Sequence, residues 1–357
     1  MGYTGVSTSI MNYYDFMDKT DMKINFVVPN HVEARLKNHI KNNGGKVYEL
    51  MTRETNPLRY MKDLIKIIKT GHYDIVHAHG NSCTLLMEMV AAKIAGVKIR
   101  IVHCRNTICT HLTIHRLLRP FFNRSYTHGF ACGIDAGKWL FGKKPFTVIT
   151  NGNDIEKFTY NSEIRQEYRQ KYHLEGKKAI GHVGCFNYQK NHNFLIDTFY
   201  ELTKKDPDYV LFLIGDGGLR SEIENKVKQL GIDNKVIFVG KTLEVSNNLQ
   251  AMDIMLLPSR FEGLPNVVIE WQIACLPSIV ADTVTKEAKI TDLVEFMPLE
   301  AGVKAWARRI TEVEIMDRQN ISESILKEIR EAGFDMKDNA KVLKSLYLSF
   351  VRNETYP

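Results

Sequence analysis

No apolar run in this chain approaches the roughly 18 residues of a membrane span. The first residues also lack the basic-then-apolar pattern of a secretory leader. The six cysteines, at positions 83, 104, 109, 132, 185 and 275, make no C-x-x-C pair and no framework spacing. That argues against a disulfide scaffold and for reduced thiols in a cytosolic protein. His103, Cys104, Cys109, His111 and His115 are metal-ligand types close together, yet their spacing fits no structural zinc site. A strand end running into an ordinary loop accounts for them better, and no metal is expected. Negative charge is in deficit: 48 Lys and Arg against 41 Asp and Glu leave a net charge of +7. No nucleic-acid motif accompanies that surplus. Nucleotides and anionic lipids are therefore the expected partners, and nucleic acid is not.

What is present suits two domains. A chain of 357 residues, 44% hydrophobic and 25% charged, can hold two cores of ordinary size. Short apolar runs at 23–28, 46–50, 74–79, 99–103, 126–131 and 146–150 read as strands separated by helical segments. One of these helices, 57–69, has Leu58, Met61, Leu64, Ile65 and Ile68 at helical spacing on one face. The alternation restarts after 151–158, with strands at 179–184, 209–214 and 236–239 and helices between them. Strand–helix alternation predicts parallel, doubly wound sheets in each half. Three further helices are expected near 301–313, 319–332 and 336–352. The first nine residues, MGYTGVSTS, read as a glycine loop entering a helix at 10–17, with Gly5 able to bring backbone near a phosphate.

The chain is organised around residues 258–270, PSRFEGLPNVVIE. A buried strand at 253–257 leads to a turn carrying Glu262, and a helix starts near Pro265, where proline suits a first turn. Glu262 therefore lies at the carboxyl end of a strand, where open α/β sheets bind ligands. The amides of Gly263, Leu264, Pro265's neighbour Asn266 and the following turn suit a phosphate, and Glu270 lies further into the helix. Two carboxylates flanking exposed amides match a ligand with hydroxyls at both ends and a diphosphate between them. A nucleotide-sugar is such a ligand.

Glu262 and Glu270, in this setting, resemble the paired glutamates of the retaining glycosyltransferases of family 4, which have the GT-B fold. DIVHAH at 74–79, NGNDIEKF at 151–158, HVGCFNYQKNHNF at 182–194 and LIGDGGLR at 213–220 match in family order. The likeness runs from about Gly2 onward and is greatest to bacterial capsule, exopolysaccharide and O-antigen transferases. It implies two Rossmann-like domains facing across a cleft: 1–152 on the acceptor side, 153–335 for the nucleotide-sugar, and a last helix at 336–357 crossing back. In the family a strand precedes the first glycine loop. None is present here: either the start is truncated or the N-terminal sheet lacks its first strand.

The resemblance also assigns roles. Lys190 matches one of two cations that hold the donor diphosphate; Cys185 stands where the family has the other, an arginine, and a thiol cannot supply a bidentate fork. Arg260 is the residue to compensate. Glu262 would hold sugar hydroxyls, Glu270 the ribose, and Gly5 and Gly215 would border the nucleotide. Cys275 replaces a glycine before Leu-Pro and brings strain if φ is positive there. His103 would lie beside the transferred sugar, a hydrogen-bonded strand end being the plain alternative; His79 is assigned to the acceptor side. Asp206 and Asp208 match an Asp-x-Asp metal motif but read as a turn. Arg116, Arg119 and Arg124 with Phe121 and Phe122 suit an anionic membrane surface, or else a helix packed on its sheet with arginines in water.

These readings converge on a retaining transferase that moves a sugar from a nucleoside diphosphate donor to a lipid-linked or growing bacterial surface glycan. It would need no cofactor beyond the donor itself and would work in the cytoplasm, peripheral on the inner face of the plasma membrane. Two alternatives stay open: a catalytically impaired nucleotide-sugar-binding homologue, and a nucleotide-sugar epimerase.

Overall fold

The structure is a computed structural model that describes residues 5–29, 31–107 and 109–352. The strands are β1 Phe26–Pro29, β2 Val47–Leu50, β3 Ile75–Gly80, β4 Ile99–Cys104, β5 His128–Ala131 and β6 Thr147–Val148. They continue with β7 Lys178–Val183, β8 Tyr209–Ile214, β9 Val236–Gly240, β10 Ile254–Leu257, β11 Ser278–Ala281 and β12 Val294–Met297. The helices begin with α1 Gly5–Phe16, α2 Ala34–Asn42, α3 Pro57–Gly71, α4 Leu86–Ile94, α5 Leu112–Phe122 and α6 Ile134–Phe141. After them come α7 Ile155–Phe158, α8 Ser162–Lys171, α9 His192–Thr203, α10 Arg220–Gln229 and α11 Val245–Ala251. The last are α12 Asn266–Ile273, α13 Gly302–Thr311, α14 Arg318–Glu331 and α15 Met336–Arg352. The chain divides into two compact units, 1–152 with 336–357 and 153–335.

In the amino-terminal unit the parallel strands form two separate sheets, β1-β2 and β3-β4-β5-β6. The interruption lies where a first strand would join β1 to β3, so the expected gap in the sheet is present among the described residues. A cavity of about 1150 Å³ fills that place, lined by Phe26, Val27 and Val28 of β1 and by Ile75, Val76 and His77 of β3. At its lower end the Asn25 side chain donates to the Tyr73 hydroxyl at 2.7 Å, a side-chain bridge just before the two open edges.

Two helices here differ from expectation. α1 begins at Gly5 rather than at Ile10 and buries Ser9, Met11, Tyr13 and Tyr14 along its length; residues 1–4 lie outside the described residues. In α3, Asn56 caps the start by accepting from the Arg59 amide, and Pro57 follows at the first helical position. Its buried face is Tyr60, Leu64 and Ile68, while Leu58 is 83% exposed. Strict i, i+4 spacing from Tyr60 sets the inward face, and Leu58 falls outside it.

The second unit is one six-stranded parallel sheet, β12-β11-β10-β7-β8-β9. Strand alternation divides its residues between two cores. Leu211, Leu213 and Leu256 face α9 and α13 around Trp306; Phe212, Met255 and Leu257 face the side of Trp271. Such double burial explains the unbroken apolar reading of β10. The order reverses between β7 and β10, and ligands bind beside such switch points in doubly wound sheets. β12 is a strand that the alternation of apolar runs does not reveal.

Candidate active site

The turns after β7 and β10 meet at that switch point. Lys190 Nζ lies 2.7 Å from Glu262 Oε1. The same carboxylate accepts from Ser259 Oγ at 2.9 Å and from Gln189 Nε2 at 2.8 Å. Both charged side chains are largely enclosed, at 14% and 9% exposure, so their attraction is poorly screened by water. The two turns are further pinned by Arg260, whose amide donates to the Gln189 carbonyl. Its guanidinium stacks over Tyr188 at 4.5 Å. Gln189 and Ser259 are partners that sequence reading missed. Each is an ordinary loop residue, and only the proximity of two distant turns gives it a role.

Glu270 is one turn into α12. The residue is part-buried, and burial pushes its pKa up to about 7, against the opposing pull of Lys157 and Lys190. It is thus poised to exist in either protonation state near neutrality. α12 starts at Asn266 after Pro265, one residue later than expected, and no side chain caps its start. Leu264 packs against the core and Pro265 is buried, so the turn from Gly263 to Asn266 can meet a ligand mainly through backbone.

Gly215 adopts φ +139°, and a Cβ there would lie 2.0 Å from the Gly184 carbonyl oxygen, so only glycine allows the ends of β7 and β8 to approach. Its amide already donates to Gly240, which leaves shape, not a hydrogen bond, as its contribution at the site. Cys185 is exposed in the adjoining turn. Cys275 has φ +57° and closes a Schellman turn at the end of α12, with its amide on Gln272 and that of Leu276 on Trp271. The position that the resemblance gives to glycine is left-handed here too.

In the amino-terminal unit, His79 and His103 stand in register on neighbouring strands, and their rings stack with that of His77 at centroid distances of 4.2–5.3 Å. His103 is fully buried. Burial holds all three imidazoles in the neutral form: His77 is lowered to about 3, and His79 and His103 lie well below the ordinary histidine value. Nitrogens of these rings lie within 4.8 Å of one another, the only such group among the described residues. The His103, Cys104, Cys109, His111 and His115 set does not come together as ligands. Arg105, beside the cluster, was not picked out in the sequence; the signal was an arginine directly after a buried strand. Gly5 opens α1.

α5 requires a correction. Phe122 is completely buried in the core with Phe141 and Leu140, and cannot face a membrane. Arg119 turns inward to the Trp139 carbonyl at 2.9 Å and to His115. Because Phe122 and His115 define the inward face, the exposed face carries Arg116, Leu117 and Phe121, the last at 65% exposure, with Arg124 just beyond the helix. No helix among the described residues is long and apolar enough to cross a membrane.

Comparisons with known proteins agree with this geometry. Residues 164–327 match the family described as glycosyl transferases group 1. A putative glycosyltransferase, EpsF of Bacillus subtilis, is 29% identical over 366 residues, covering 97% of this chain and 94% of that protein. The UDP-Gal:alpha-D-GlcNAc-diphosphoundecaprenol alpha-1,3-galactosyltransferase of Escherichia coli is 25% identical over 331 residues, covering 85% and 83%. Among solved structures, Anabaena Alr3699/HepE in complex with UDP superposes with a TM-score of 0.78 at 17% identity, over 97% of this chain and 96% of that one. The lipopolysaccharide outer core galactosyltransferase WaaB gives 0.65 at 17% identity, over 96% and 97%. The fold is GT-B, built from two Rossmann-like units. The match to the group 1 glycosyl transferases covers 164 of the 357 residues, all of them in the second unit.

Proposed function

We propose that this chain transfers a sugar, with retention, from a nucleoside diphosphate donor to a lipid-linked or growing bacterial surface polysaccharide. The observation that carries this reading is the enclosed Lys190–Glu262 pair at the switch point of the second sheet. A donor diphosphate competes with Glu262 for Lys190 and releases the carboxylate to accept from sugar hydroxyls, with Ser259 and Gln189 holding it in place. Glu270 would accept from the ribose diol. The galactosyltransferase, whose acceptor is carried on diphosphoundecaprenol, and the Amylovoran biosynthesis glycosyltransferase AmsD of Erwinia amylovora support the glycan context.

Catalysis in this reading is electrostatic. The sugar–phosphate C–O bond breaks, and the acceptor oxygen bonds to the same carbon from the leaving-group face. The acceptor hydroxyl proton passes to the departing diphosphate. Lys190 and the α12 amides stabilise the charge that grows on that diphosphate. His103 and His79 belong to the acceptor side, α5 faces anionic lipid, and no metal is required. With Cys185 in place of an arginine, one cation fewer meets that charge, which keeps an impaired homologue as the second reading.

The test is a transfer assay with a panel of nucleoside diphosphate sugars and a lipid-diphosphate glycan acceptor, for the parent and Lys190→Ala. Acceptor-dependent product that falls at least about 100-fold in the variant supports the reading. Epimer formed without acceptor would establish the isomerase, and donor binding with no turnover in either protein would establish the impaired homologue.

A further inference from the structure

Arg105 presents an electrostatic problem that the chain itself does not solve. It follows β4 directly, is 7% exposed and forms no ion pair among the described residues. Nη1 donates to Asn151 Oδ1 at 2.5 Å, and Nε donates to His79 Nδ1 at 3.2 Å. Nη2 donates to no described residue. A buried guanidinium held only by neutral acceptors is costly, because neither an amide nor an imidazole compensates its net charge.

The groups that act on Arg105 are the Tyr13 and Tyr347 hydroxyls and the Cys104 and Cys132 thiols, none of them a carboxylate. Burial raises both phenols and pushes the Cys104 thiol up to about 12, so these three do not ionise near neutrality to become a counterion. Arg105 nevertheless lines the 1150 Å³ cavity of this unit, together with His79, His77, Tyr13 and Tyr347.

The tautomer of His79 follows from the same contact. Arg105 Nε–H can only donate, so His79 Nδ1 accepts and the proton resides on Nε2. Its Nε2–H points away from the guanidinium, so the part of His79 is to position Arg105 through Nδ1. Both sit at the carboxyl ends of β3 and β4, the side of a parallel sheet at which ligands bind. The histidine cluster could alternatively be viewed as a cation site. However, the guanidinium occupies one of its ligand nitrogens, and its permanent charge repels a metal ion.

We infer that Arg105, positioned by His79, forms an oxyanion site in the amino-terminal unit that takes a phosphate or diphosphate group. Its assignment to the acceptor rests on the transferase reading above: the group would be the diphosphate through which the acceptor glycan is carried on its lipid. A planar guanidinium whose Nη2 donates to no described residue offers a charged donor to a phosphate oxygen, and the His79 contact at Nε fixes its orientation. The same chemistry could come from the donor nucleotide, and the experiment separates the two sources.

Inorganic pyrophosphate is titrated into the full chain, saturated beforehand with UDP, and binding is read calorimetrically. The expected result is a pyrophosphate site that persists under saturating UDP. Arg105→Gln should weaken it at least about tenfold, the effect of losing one charge-assisted contact, while UDP affinity changes less than about twofold. His79→Phe, which keeps a ring and removes the Nδ1 acceptor that positions the guanidinium, should weaken it by several-fold and serves if Arg105→Gln does not fold. Competition of pyrophosphate with UDP alone, with no second site, would assign the anion to the donor and overturn the inference. So would unchanged pyrophosphate affinity in a folded Arg105→Gln, or stoichiometric zinc binding that is lost in His77→Ala. Failure of the transferase reading looks different: transfer is absent with every donor, yet the Arg105-dependent pyrophosphate site remains.

Discussion

Two residues carry measurable tension. Cys275 holds a left-handed turn that costs an L side chain roughly 1–2 kcal/mol. Its burial recovers part of this, so Cys275→Gly is expected to stabilise the chain by about 1 kcal/mol, read from urea midpoints at constant slope. A loss of stability would mean that packing of the thiol outweighs the turn. Glu270 is the second. A carboxyl raised to about 7 by burial favours the folded state when protonated and opposes it when ionised. The penalty is complete above pH 7 and disappears as pH falls to the ordinary carboxyl value. Glu270→Gln should therefore stabilise by roughly 1–3 kcal/mol at pH 8 and by little near pH 4.5. A gain that is the same at both pH values would show that the effect is not one of charge.

At the scale of elements, the divided amino-terminal sheet and α5 make separate predictions. Phe26 donates its amide to Lys46, so alternation turns the Val27 amide toward the open side of β1. Its hydrogen exchange should be at least about 100-fold faster than that of Val102 in β4, which has strands on both sides. Equal protection would mean that the open edge is covered in solution. For α5, Arg116→Gln with Arg124→Gln should lower sedimentation with anionic liposomes at low salt and leave the thermal midpoint unchanged. Arg119 is excluded from that test because its contact with Trp139 is structural.

At the scale of the molecule, α15 belongs with the amino-terminal unit although it is last in the chain. Met336, Leu343 and Leu346 share a core cluster with Tyr13, Ile101 and Phe130. A chain cut after Asp335 should lose the cooperative unfolding of that unit, because these side chains leave a void along β4 and β5. Residues 153–335 hold a complete six-stranded sheet with cores on both faces and should unfold cooperatively in isolation. Calorimetry of the two pieces checks this: a cut chain that retains both transitions would contradict it.

The parallel sheets and the position of Glu262 after a buried strand were legible in the sequence, because they depend on local hydrophobic period and on turn chemistry, which short stretches carry by themselves. The interruption ahead of β3 is expected only from the family resemblance. Helix facing was less legible. Leu58 is expected inward and is exposed, and Phe122 is expected at a membrane surface and is buried; the direction of a helix face is set by what lies beneath it, and that is decided by segments distant in the chain. The partners of Glu262 are of the same kind, since Gln189 lies 73 residues away and acquires its role from the strand order that brings β7 beside β10. Arg105 shows the difference most clearly. Composition counts it as one of 48 basic residues, with carboxylates in plenty elsewhere. That it is enclosed among phenols, thiols and neutral imidazoles, with no ion pair among the described residues, is a property of the folded arrangement alone, because burial and pairing of a charge are settled only when the surrounding strands close over it.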